Sequence, residues 1–259
     1  MHERLSFYTK RNSVIHRLNP LTKLSLVFGL LLISFLAPFY WSPSLVILLG
    51  IIPLSFTAKV AREYVNTAFR LILPAVGFLF IMQTLFQPLE GKELFHIWFL
   101  HPTQTSMMFA FTNATRIVVM VSSFTIFILT THPSELMTDL TQRGLPPQFA
   151  YVIISTLQIL PQMQAKAQTI IAAQRSRGLD TESTFIKRVG SLLPLVGPLV
   201  FGSLVEVEER AIAIEARGFT STQNKTSLHD VPDTALDKII RWLLTALVII
   251  TLALKIWLS

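Results

Sequence analysis

Residues 24–40 read LSLVFGLLLISFLAPFY, seventeen positions without a charged side chain, and four more stretches of similar character follow. A soluble fold would have to bury such segments on all sides, whereas a bilayer solvates them directly. The second stretch is 45–56, after Trp41, Ser42 and Pro43. The third, 71–87, carries Pro74 and Gly77. The fourth, 106–131, carries Asn113 and Arg116, and the fifth, 242–257, follows Lys238 and Arg241 and carries Lys255 near its far end. The first two are shorter than the roughly 20 residues of a spanning helix, and flanking Trp, Tyr and Pro complete them at the interface. With 51% hydrophobic and only 14% charged residues and a mean hydropathy of +0.55, the 259 residues lack the polar surface of a water-soluble globule. The expected fold is all-α: a polytopic membrane protein of about five transmembrane helices, with the lipid bilayer as its first partner.

Basic residues set the orientation, because cytoplasmic loops hold the excess of Lys and Arg. The N-terminal tail has Arg4, Lys10, Arg11, Arg17 and Lys23, and the connection at 59–70 has Lys59, Arg62 and Arg70. That connection reads as a cytoplasmic linker or as an interfacial amphipathic helix. The segment 88–105 holds only Lys92 beside Glu90, Glu93 and the aromatics Phe95, Trp98 and Phe99, as an outer loop would. The pattern predicts a cytoplasmic N-terminus, four spans in 1–131, a cytoplasmic domain in 132–238 and a last span in 239–259. The net charge of +7 is spread between apolar blocks rather than gathered into a stripe with aromatics, so nucleic acid is not an expected partner.

The cytoplasmic insertion reads as three helices. A short one, 133–143, opens on Pro133 with Glu135 behind it and stops at Arg143-Gly144. The second, 148–177, repeats Ile153, Leu157, Leu160, Met163, Ala167 and Ile170 at helical spacing. The third runs from about 184 to 217, apolar over 192–205 and charged beyond Glu206; the apolar part also fits a sixth, re-entrant membrane segment. Both long helices stop alike, on Ser176-Arg177-Gly178 and Ala216-Arg217-Gly218. An arginine in the last turn followed by a left-handed glycine is an ordinary way to end a helix, and Arg143-Gly144 needs nothing more. The repetition on two long helices opens a second reading. A guanidinium held at each end can enter a partner's groove in a fork geometry that Lys cannot copy, with the two tips expected near one another and exposed.

Catalytic chemistry is hard to assemble here. There is no cysteine, which removes disulfides, thiolate metal sites and cysteine nucleophiles. His96, His101, His132 and Glu63 are the candidates for an intramembrane enzyme, yet no HExxH, paired intramembrane carboxylates or GxSxG accompany them. No catalytic, cofactor or metal residues are assigned. A self-sufficient permease would show inverted repeats or polar residues along several spans, and these spans have few. Arg116 stands between two readings: a functional charge facing protein or water, or a structural one snorkelling to the interface beside Asn113.

The chain resembles the transmembrane coupling (T) component of energy-coupling factor (ECF) type ABC transporters. The resemblance covers nearly the whole sequence. It rests on Ser13-Val14-Ile15-His16-Arg17-Leu18-Asn19-Pro20-Leu21-Thr22-Lys23-Leu24, on Thr131-His132-Pro133, on Gln174-Arg175-Ser176-Arg177-Gly178 and on Glu215-Ala216-Arg217-Gly218-Phe219. The family usually has an aspartate and an arginine where this chain has Asn19 and Leu21. The resemblance implies a non-catalytic subunit of a prokaryotic plasma-membrane importer for a vitamin or transition metal. Its partners would be two ABC ATPase subunits, alike or different, and a membrane-embedded substrate-binding S component. Ser176, Arg177, Gly178, Ala216, Arg217 and Gly218 would bind the ATPases, one motif to each. The small Ser176 and Ala216 would permit close approach, and the apolar faces of the same helices would hold the S component.

Overall fold

The structure, a computed structural model, describes residues 13–87, 91–92, 102–178, 185–219, 221 and 231–258, with the backbone alone for 14 and 185–194. The regular elements among them are helices: α1 (Val14–Arg17), α2 (Pro20–Leu36), α3 (Ser42–Thr57), α4 (Ala61–Phe86), α5 (Gln104–Thr130), α6 (Pro133–Gln142), α7 (Pro147–Ser176), α8 (Phe185–Ala216) and α9 (Ala235–Leu258). The chain divides into two compact units, Met1–Gly144 with Asp230–Ser259, and Leu145–His229.

The first unit contains the five apolar helices expected from the sequence. Those of α4, α5 and α9 are long and apolar enough to cross a membrane, while α2 and α3 are shorter. The protein is an all-α polytopic membrane protein. Within this unit α5 packs on α2, α3 and α4, and α2 packs on α9 and α6. Ile33, Val46, Ile51, Val119 and Ile126 form the common core. Gly29 of α2 lets α9 approach, since a β-carbon there would lie 3.1 Å from Leu244 Cδ2.

From Ala61 onward the connection at 59–70 is helical, and it is not a separate helix: Ala61–Thr67 forms the first turns of α4, continuous with the apolar part through a widened turn at Ala68–Ile72. Pro74 follows directly and has no N–H to return to the preceding turn, and a wider turn absorbs that gap. The same device recurs in α3, where the widened turn Val46–Ile51 precedes Pro53.

Two buried or half-buried cations in this unit serve carbonyls that prolines leave open. Ser34 O would normally accept from residue 38, which is Pro38; instead Arg116 Nε donates to it at 3.2 Å, and the guanidinium lies 5.4 Å from the Phe35 ring centroid. These contacts supply the partner that the sequence alone did not reveal, and they suit the structural reading. His16 O likewise faces Pro20, and Lys23, 3% exposed, donates to it at 3.1 Å and to Thr130 O at 2.9 Å. Asn113, read as a local companion of Arg116, donates instead to Gln83 Oε1 at 3.3 Å.

Candidate functional site

Among the described residues the second unit is two helices, α7 and α8, packed on each other. Lys166 pairs with Glu206, and Arg210 donates to Gln162 Oε1 and Glu206 Oε1, both at 2.8 Å. Farther along, the Tyr151 and Phe219 rings lie 5.4 Å apart. Contacts fall in α7 as they rise in α8, so the pair is antiparallel. The Lys166 and Arg210 hydrogen bonds, Lys166 the larger cause, hold the Glu206 carboxyl below its ordinary value of 4.5. The apolar stripe of α7 divides accordingly. Met163, Ala167 and Ile170 are partly buried, whereas Ile153, Leu157 and Leu160 are exposed.

Antiparallel packing fixes where the arginine motifs go. Arg177 lies ~11 residues beyond Lys166, and Arg217 lies ~11 beyond Glu206, in opposite directions; at 1.5 Å per residue each tip is about 16 Å from the crossing. The expectation that the tips would be neighbours is therefore corrected: the structure brings the two helices together and sends their C-terminal ends apart, on the order of 30 Å along the pair. One groove cannot take both.

Each end is built to project. In α8, Phe219 N–H donates to Ile214 O at 3.2 Å and Gly218 N–H to Glu215 O at 2.9 Å, the double closure of a Schellman ending. In α7, Gly178 N–H donates to Arg175 O at 3.0 Å. Gly178 and Gly218 have φ of +88° and +69°, with open space where a β-carbon would stand. Ser176 Oγ donates back to Ala172 O at 3.2 Å, and both Ser176 and Ala216 are exposed. Arg177 and Arg217 are exposed too, and among the described residues neither guanidinium has a hydrogen-bond or ion-pair partner.

Arg143 is the internal comparison. It precedes a glycine with φ +110° in the same way, yet it binds Asp139 at 3.3 Å and Asp233 at 3.4 Å. The Lys166–Glu206–Arg210 crossing and the Asp139 and Asp233 contacts were missed from sequence, where charges four apart on an exposed face look merely solvated. Of the catalytic candidates, His132 is a helix cap whose Nδ1 accepts from Ser134 N–H at 3.2 Å, Glu63 sits in the first turn of α4, and His96 and His101 lie outside the described residues. Among the described residues no cluster of three potential metal ligands occurs.

Comparison with known proteins agrees with this architecture. The CbiQ family model, described as cobalt transport protein, matches residues 11–228. Among curated proteins, the energy-coupling factor transporter transmembrane protein EcfT of Lactococcus lactis subsp. cremoris is 26% identical, covering 96% of both chains. Its counterpart in Exiguobacterium sibiricum is 29% identical over 94% of this chain and 95% of the relative, and that of Bacillus subtilis 30% identical over 85% of each. With five apolar helices in one unit and a long helix pair in the other, the chain belongs to the CbiQ/EcfT family of energy-coupling factor transporter transmembrane proteins.

Proposed function

We propose that this chain is the mechanical link of an ATP-driven importer in a prokaryotic plasma membrane. It neither hydrolyses nucleotide nor holds cargo; it joins two ABC ATPase subunits to a separate substrate-binding membrane subunit for a vitamin or transition metal. The region 132–238 is the cytoplasmic coupling part, with the N-terminus on the same side, as the distribution of Lys and Arg supports.

The observation that carries this reading is the contrast among three helix ends. Arg143 is satisfied within the fold, whereas Arg177 and Arg217 stand exposed and, among the described residues, without partners at opposite ends of one helix pair. Two separated tips suit two separate grooves, one per ATPase subunit, each offering carboxylates or carbonyls to a guanidinium. The narrow residues Ser176 and Ala216 and the turns at Gly178 and Gly218 keep the approach clear. When ATP closes the ATPase pair, the tips move with it, and a continuous helix pair is an element able to carry that displacement toward the membrane.

The apolar faces left open on α7 and α8, including Leu157, Leu160, Phe201 and Leu204, suit the substrate-binding subunit. The deciding experiment is co-purification of the ATPases with the Arg177→Ala/Arg217→Ala chain. Recovery at the yield of the unaltered protein would refute the docking role, and loss from a correctly inserted chain supports it.

A further inference from the structure

The chain leaves the first unit at Gly144 and returns to it at Asp230. A single polar network grips it beside both crossings. Arg143, just before the outgoing one, donates from Nε to Asp139 Oδ1 at 3.3 Å and from Nη2 to Asp233 Oδ2 at 3.4 Å. Asp233, just after the return, also accepts from Arg241 Nη2 at 2.6 and 2.7 Å. The Arg241 hydrogen bond is the main cause holding the Asp233 carboxyl below its ordinary 3.8, so Asp233 stays charged.

From there the network runs inward. Asp139, 2% exposed, accepts from Asn19 Nδ2 at 3.1 Å. Asn19, 1% exposed, gives its backbone N–H to Asp237 Oδ1 at 3.0 Å, and its side-chain oxygen accepts from Leu21 N–H at 2.9 Å, capping α2. Asn19 is thus shared by α2, α6 and the start of α9. Two carboxylates face position 19, and an amide can donate to one of them while its oxygen caps the helix. An ionised aspartate there would bring a third carboxylate into the same buried site and no donor.

The two ends of this network differ in what they do for stability. Arg143 and Asp233 are 42% and 31% exposed, and such a solvent-screened pair contributes little to folding. Asp139 is buried and depends on its partners. The outer link can therefore be cut without unfolding the unit. The link also lies where both chain crossings meet a buried relay, which gives displacement a continuous hydrogen-bonded path inward.

We infer that Arg143, Asp233, Asp139 and Asn19 form the transmission joint of the subunit: displacement of the second unit enters through Arg143 and Asp233 and reaches the first turn of α2 through Asp139 and Asn19. This rests on the coupling role proposed above, and the four act as positioning residues.

The chain has no cysteine, so Phe28→Cys, at a position 52% exposed on α2, gives one attachment site for an environment-sensitive fluorophore. The labelled chain is assembled with its ATPases in liposomes, and the emission change on adding MgATP is recorded. Arg143→Ala and Asp233→Ala should each reduce that change by about fivefold or more, and the two together no further, because they act through one another. Asp233→Glu should restore it, with ATPase co-purification and ATP hydrolysis kept throughout. The inference is overturned by a full emission change in the single variants, by multiplying effects in the double variant, by loss of the ATPases from the variants, or by no MgATP response in the otherwise unaltered labelled complex. Failure of the ATPases to bind even the unaltered chain refutes the coupling role itself.

Discussion

Arg143 and Arg177 occupy the same local niche, each closing a helix just ahead of a left-handed glycine, and the fold uses them in opposite ways. In the first unit Arg143 lies against Asp139 and Asp233 and ties three parts of the chain together. In the second, Arg177 and its counterpart Arg217 meet no acceptor among the described residues. Local geometry alone does not distinguish a helix stop from a docking tip. What distinguishes them is whether the fold supplies an acceptor.

The sharpest way to break this contrast is to remove the open tips. Arg177→Ala and Arg217→Ala should each weaken ATPase binding by about 2–5 kcal/mol, where the partner groups in the groove are buried charges, while thermal unfolding of the isolated subunit stays nearly unchanged. Calorimetric or pull-down affinities check the first part. Equal losses in binding and in folding stability would erase the distinction from Arg143. Next in size is Arg116→Leu, which strands Ser34 O in an apolar setting and should lower stability by about 1–3 kcal/mol without altering ATPase affinity. Urea or detergent unfolding of the purified chain measures it.

A smaller effect is expected at the glycines. Gly178→Ala and Gly218→Ala meet no steric obstacle, so their penalty is the left-handed backbone alone, about 1–2 kcal/mol. Gly144→Ala should cost folding stability a similar amount, whereas at 178 and 218 part of the loss should appear as weaker docking. The smallest effect concerns acid. Because Glu206 titrates below its ordinary value in the folded pair, its contribution is complete at neutral pH and is lost only as pH falls through that lowered value, beneath 4.5. Spin labels on α7 and α8 should report an unchanged separation from pH 8 to 5 and a broadening below, and Glu206→Gln should abolish that acid response.

Much of this arrangement was legible in the residues. The apolar stretches located the five apolar helices of the first unit, and Pro133, Gly144, Gly178 and Gly218 marked helix limits to within a residue or two. Continuity from Ala61 through Arg70 into the span was hidden because charged side chains suggested a break, whereas the widened turn ahead of Pro74 lets the helix run on. The separation of the tips depended on the direction in which α7 and α8 pack, which the identical endings do not encode. The role of Asn19 depended on Asp139 and Asp237, more than a hundred positions away, and no local pattern announces such partners.

The service that Arg116 performs for Ser34 O makes the cation and Pro38 mutually dependent. A backbone N–H at 38 would take over the carbonyl and leave the guanidinium redundant, so Pro38→Ala should render Arg116→Leu nearly silent. A lineage could then shed the proline first and the intramembrane charge afterwards, whereas the reverse order would pass through a weakened protein.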